Sequence, residues 1–280
     1  MPLSKTQLKQ ATAILLVVLN CLLAVSVWRQ CTHRHTPARI DADTDALMRI
    51  ELPEGMPDTL LHYPGFDIHF NPETHIANCA VYEITAREAA GTIERFGYFT
   101  ADRTVEGCAL PDDYTASGYD RGHLVPASDL QWDSAAMRAS FLMTNVCPQK
   151  PVLNEGGWAK LEQKVREWAL RDSALIVVAG PVPEPLPMAT RDGDDGPRHI
   201  GITGVTVPRR IFKVVLAHRA TPVRAVAFVY PNGEADGRLR DYAVAPAEVE
   251  RLTGMRLFAV LPDSVRDPLM HSTTLTRWLE

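Results

Sequence analysis

Apolar and polar residues alternate over Phe66-Asp67-Ile68-His69-Phe70, a period of two that predicts a half-buried strand. Ala80-Val81-Tyr82-Glu83-Ile84-Thr85 is rich in strand-forming residues and predicts a second. The apolar run Leu175-Ile176-Val177-Val178-Ala179 reads as a buried strand, and 202–207, 211–217 and 223–230 are further strand candidates. A different period governs Trp158, Leu161, Val165 and Trp168, which recur at spacings of three, four and three. That spacing makes one apolar stripe on a helix that follows Gly156-Gly157. The stripe reads as core and not as a base-stacking platform. Asp133 caps a short helix over 133–141, and Pro246 opens another that ends near Gly254. Segments 101–118 and 181–199 read as loops, and the tail from Asp263 shows no clear pattern. Strands interspersed with helices, without a strict alternation, give an α+β fold class.

The N-terminal part departs from these patterns. Residues 11–28 form an uncharged apolar stretch behind Lys5 and Lys9, nearly long enough to cross a hydrocarbon core as a helix. It reads as an uncleaved membrane anchor. A cleaved export signal ending near Ala24-Val25-Ser26 is the alternative. Either way the bulk of the chain lies outside the cytoplasm, anchored to the membrane or released as a secreted or periplasmic protein. Residues 1–31 are thus the anchor or signal, 32–60 a polar linker with Thr36-Pro37 and Pro53-Glu54-Gly55, and 61–280 the folded domain.

Net charge is -5, but the first 40 residues hold five cations and no carboxylate. Residues 41–280 carry 24 basic against 34 acidic side chains. That balance argues against binding a polyanion through a global field, since nucleic-acid affinity rests on cations meeting phosphates. Segment 120–171 is less acidic, with seven basic against six acidic residues, so a polyanion has to be held there locally. The five cysteines include no Cys-x-x-Cys pair, which argues against a zinc cage. A Cys79–Cys108 disulfide is one expectation for an oxidising compartment, and free buried thiols are the other.

The richest chemistry lies between Tyr119 and Glu162. Asp120-Arg121-Gly122-His123 is followed by Asn145 with Pro148-Gln149, then Asn154, then Trp158 with Leu161-Glu162. An imidazole, a guanidinium, two carboxamides and a carboxylate match the needs of metal-assisted phosphodiester hydrolysis. His123 is the candidate base, because imidazole titrates near neutrality. Asn154 offers a hard, neutral oxygen to Mg²⁺, with helix capping as its structural alternative. Glu162 could instead pair with Arg166 one turn on. Asn145 joins the catalytic candidates by holding the segment together or fixing the histidine, with a turn residue before Pro148 as its structural alternative. Arg121 suits contact with phosphate or with growing negative charge. Gly122 permits a close approach that a side chain would block.

This segment strongly resembles the DNA/RNA non-specific endonuclease family, of the ββα-metal (His-Me) finger group. The steps of nine residues from Asn145 to Asn154 and eight from Asn154 to Glu162 fit it, and looser likeness runs from about Phe66 to Leu261. The resemblance implies a mixed or antiparallel sheet core carrying a ββα finger. It also implies His123 as general base, Asn154 as the direct ligand of Mg²⁺ (Mn²⁺ as the substitute) and Glu162 acting on the ion through water. Arg103, in Asp102-Arg103-Thr104, falls roughly where the family places a second arginine. The implied partners are DNA and RNA, cut with little sequence preference to leave 5′-phosphates. Two rivals stay open: a narrower phosphodiesterase of the cell envelope, and a non-catalytic module that binds polyanions.

Overall fold

The structure is a computed structural model that describes residues 40, 42–183 and 198–279. The stretch 11–28, His33 and His35 lie outside the described residues. Among those that are described, no helix is long and apolar enough to cross a membrane.

In chain order the strands are β1 (Thr59–Tyr63), β2 (Phe66–Asn71), β3 (Ile76–Thr85), β4 (Asp120–His123), β5 (Val146–Gln149), β6 (Ala174–Pro181), β7 (Arg198–Ile200), β8 (Val205–Val207), β9 (Arg210–Ala217), β10 (Arg224–Pro231) and β11 (Ala243–Val244). The α-helices are α1 (Thr44–Leu47), α2 (Ala86–Ala89), α3 (Ser134–Ser140), α4 (Ala159–Asp172), α5 (Pro246–Thr253), α6 (Asp263–Met270) and α7 (Thr276–Leu279). Seven strands form one antiparallel sheet in the order β1-β2-β3-β6-β9-β10-β11. The architecture is α+β with an antiparallel sheet. Among the described residues β4 pairs only with β5, and β7 only with β8.

Alternation along each strand divides the interior in two. Tyr82, Ile84, Val177, Val215 and Phe228 enter one core, with α4 and its Trp158, Leu161, Val165 and Trp168 stripe packed on them. Val81, Ile176, Val178, Phe212, Val214 and Leu216 enter the other. That second core is closed by Leu47, Ile50, Val249, Leu257, Phe258 and Leu269. A side chain such as Leu216, fully buried, contributes roughly 1.5–3 kcal/mol by leaving water.

Several expectations need correction. From Thr44 the chain is packed, inside the span 32–60 read as a linker: Leu47 is fully buried, and Glu51 and Arg256 exchange backbone hydrogen bonds. These contacts are long-range and leave no local period. The unpatterned tail forms α6 and α7, and Trp278 fills the first core. The candidate strand 202–207 begins only at Val205, because Gly201 and Gly204 take positive φ in the turn before it. Cys79, Cys108 and Cys147 are all free. Cys79 and Cys108 face opposite cores, so the sheet separates them.

Candidate active site

The motif segment folds as strand, strand and helix. Antiparallel pairing sets Asp120 opposite Gln149, Gly122 opposite Cys147 and His123 opposite Val146. Gly122 is required by close approach: a Cβ there would sit 2.2 Å from Gln149 Cδ, and Gln149 is fully buried. After β5 the chain enters one π-helical turn, Leu153–Trp158, and continues into α4. Wide turns of this kind recur at functional sites. Trp158 ties the end of this turn to the strand, its indole N–H donating to the His123 carbonyl at 3.3 Å.

His123 lies between the rings of Phe99 and Phe141, at 5.1 and 5.2 Å. Its Nε2 is enclosed without a partner among the described residues, and the residue lines the cleft. Burial, with a smaller effect from nearby Arg95, pulls its pKa down to about 3. The ring is therefore neutral at neutral pH and able to accept a proton.

Asn154 is held by Asp120. Its amide nitrogen donates to Asp120 Oδ2 at 3.0 Å, which fixes which end of the carboxamide is oxygen. Asp120 thus orients Asn154. Asn154 sits inside the π turn and does not cap α4, whose N-cap residue Trp158 makes no side-chain cap.

Glu162 does not pair with Arg166. Arg166 donates to Asp129 at 2.9 Å, and Asp129 also accepts from the Tyr82 hydroxyl at 2.7 Å. Glu162 faces Lys213 instead, at 3.9 Å. Burial pushes the Glu162 carboxyl up to about 7, against an opposing pull from Lys213. Burial likewise pulls the Lys213 ammonium below its usual value. Arg121 donates from Nε and Nη2 to the Pro111 carbonyl, at 3.2 and 2.8 Å, and its guanidinium lies over the Phe99 ring.

One cleft of about 470 Å³ gathers His123, Arg121, Asp120, Asn154, Glu162 and Arg95. Two expected site residues are not among those lining it. Arg103 is exposed in the turn that follows Asp102. Asn145 is fully buried and clamps the chain just past His123: its amide donates to Val125 O and Ser140 O, both at 2.9 Å, and its oxygen accepts from Val125 N–H. It holds the finger together and does not line the cleft. Arg95 takes the place expected for Arg103, eight positions earlier, in Arg95-Phe96-Gly97-Tyr98-Phe99. The loop between them has no repeat to align on, and an arginine among aromatics was the only available sign. His199, His218 and His271 find local partners outside the cleft.

The donor set suits a hard divalent ion. The oriented Asn154 oxygen, with the carboxylates of Asp120 and Glu162 in the same cleft, offers oxygen ligands only. Among the described residues no group of three or more His, Cys, Asp or Glu side chains forms a cage. An ion held here keeps most of its water, as Mg²⁺ prefers.

A ββα finger thus presents a neutral imidazole and an oriented carboxamide to one cleft. A profile of DNA/RNA non-specific endonucleases matches residues 43–264, and the chain belongs to that family. Its members are typically metal-dependent. The human mitochondrial nuclease EXOG is 36% identical over 159 residues, which cover 54% of this chain and 42% of that protein. A nuclease of Nostoc sp. is 31% identical over 202 residues, covering 68% of this chain and 69% of that one. A crystal structure of the EndoG/EndoGI complex, concerned with the mechanism of EndoG inhibition, superposes with a TM-score of 0.68 at 25% identity. It covers 73% of this chain and 87% of that one. The chain spans about half or less of the length of its mitochondrial relatives, 49% for human endonuclease G.

Proposed function

We propose that this protein is a Mg²⁺-dependent endonuclease, with Mn²⁺ as a substitute ion, that hydrolyses DNA and RNA without base preference. One observation carries the reading: His123, Arg121, Asn154 and Glu162, separated along the chain, line a single cleft. His123 is held neutral by its apolar surroundings and takes a proton from the attacking water. Asn154 would hold the ion through its amide oxygen, with Glu162 placed to orient the ion's water. When bound, the ion supplies Lewis-acid stabilisation of charge on the phosphate. Arg121, fixed by the Pro111 carbonyl, presents its remaining N–H groups to the phosphate oxygens, and Arg95 adds a second cation. Contacts confined to the backbone carry no sequence information.

The uncharged stretch 11–28 supports an exported domain, which membrane fractionation would check. The test of activity is plasmid nicking and RNA cleavage by the purified full chain, with Mg²⁺ and with EDTA, beside His123→Ala. Metal-dependent cutting of both nucleic acids, abolished in the variant, is the expected result. A narrower phosphodiesterase would spare plasmid and RNA but cut small diesters. Binding without cleavage, unaffected by EDTA, would overturn a catalytic role altogether.

A further inference from the structure

Lys213 is a buried cation to which the reaction as described gives no task. It is fully buried in the middle of β9, and its Nζ has no hydrogen-bond partner among the described residues. An ammonium without partners, away from water, is strongly disfavoured, so its contacts call for an account. Two define it. Nζ lies 3.9 Å from Glu162 Oε1 and 4.6 Å from the centre of the Trp158 ring. The edge of that same indole donates to the His123 carbonyl at 3.3 Å. Arg166, the other cation on this side, is engaged by Asp129, whose second oxygen is taken by Tyr82.

We propose that Lys213 is a positioning residue for hydrolysis: its buried charge keeps the Glu162 carboxylate directed into the cleft and seats Trp158 beneath the strand end that carries His123. The inference rests on the proposed nuclease activity and deepens it. A separation of 3.9 Å is too long for a direct hydrogen bond, so Lys213 acts as a fixed charge in a low-dielectric interior and not as a clamp. Alternation along β9 places it on the finger side of the sheet, while its neighbours Phe212 and Val214 face the other core. If the position served packing alone, an apolar side chain of the same length would serve better, since buried charges often destabilise.

The experiment compares the full chain with Lys213→Met, Glu162→Gln and the double variant, measuring kcat and KM on plasmid DNA with Mg²⁺ and thermal unfolding without metal. Lys213→Met is expected to lower kcat about 10- to 100-fold, the range seen when groups behind a metal site are removed. KM should stay within about threefold of the unsubstituted chain, as for a loss confined to the transition state. Its unfolding temperature serves to show that the variant folds, since Glu162 is left buried without its cation. The double variant should be no slower than Glu162→Gln alone, because both changes remove one coupled unit. Near-normal kcat in Lys213→Met, a loss carried by KM, or losses that multiply in the double variant would each overturn the inference. If Lys213→Met does not fold, Lys213→Gln is read by the same criteria. An unsubstituted chain that cuts no nucleic acid overturns the underlying activity as well, and that control tells the two failures apart.

Discussion

The two sides of the central sheet are built from the same strands and do different work. On one side Val81, Ile176, Val178, Phe212, Val214 and Leu216 meet apolar residues from α1, α5 and α6. On the other, the core around Tyr82, Val177 and Trp158 also encloses Asp129, Lys213 and Asn145, and opens at the cleft. The first side is largely apolar, with buried Arg266 paired to Glu250. The second gives up some stability, since buried charges and an unpaired imidazole nitrogen are costly to keep from water. One strand, β9, serves both by alternation, with Phe212 to one side and Lys213 to the other.

That contrast can be broken experimentally, and the largest effect belongs to the finger side. His123→Ala should lower kcat by about 10²–10⁴, the worth of a positioned general base, while thermal unfolding changes little. Circular-dichroism melts beside nicking rates check both halves. Asn154→Ala should act mainly on metal use, with a Mg²⁺ titration of activity shifted upward by roughly 10- to 100-fold. On the opposite side Leu216→Ala should cost about 2–5 kcal/mol in urea unfolding and leave kcat of the folded fraction unchanged. A large fall in kcat there would dissolve the division of labour.

Acid–base behaviour sharpens the contrast more gently. Burial raises Glu162 from 4.5 to about 7, so between those values the folded chain binds more protons than the unfolded one. Its contribution to stability therefore falls as pH rises through that window. His123 is depressed from 6.5 to about 3, so its contribution rises with pH across its own window. The two slopes oppose each other between about 4.5 and 6.5. In metal-free urea unfolding, Glu162→Gln should gain on the unsubstituted chain as pH climbs from 4.5 to 8, by at most about 3 kcal/mol. A gain that shrinks with pH would contradict the burial of this carboxyl. The smallest difference separates two arginines. Arg95→Ala should lower kcat/KM about tenfold, whereas Arg103→Ala should stay within about twofold.

Much of this was legible in the chain. Alternation marked β2, strand-forming composition marked β3, β9 and β10 were among the strand candidates, the stripe at Trp158, Leu161, Val165 and Trp168 marked α4, and Asp133 marked the start of α3, because each signal is local. His123, Arg121, Asn154 and Glu162 were legible from type and spacing and meet in one cleft. What escaped was long-range. Leu47 and Ile50 look like linker until the second core is seen. Arg166 looks like a partner for Glu162 until Asp129 arrives from 37 positions away. Lys213 sits in an apolar strand whose two faces cannot be told apart by hydropathy, so only the fold shows that it points toward the site. Arg95 lies in a segment without helix or strand, where no periodicity fixes an alignment.

The wide turn at Leu153–Trp158 makes the site sensitive to phase. Downstream, Trp158 and Leu161 lock the rotation of α4 against the sheet, so any change in residue number within the turn has to be absorbed upstream. Removing a single residue there would swing the segment bearing Asn154 through about 100° around the helix axis. The carboxamide would then leave Asp120 even though no side chain of the site had been altered. Insertions and deletions between β5 and α4 should accordingly be more damaging than most substitutions, and chain length in this stretch is itself part of the catalytic apparatus.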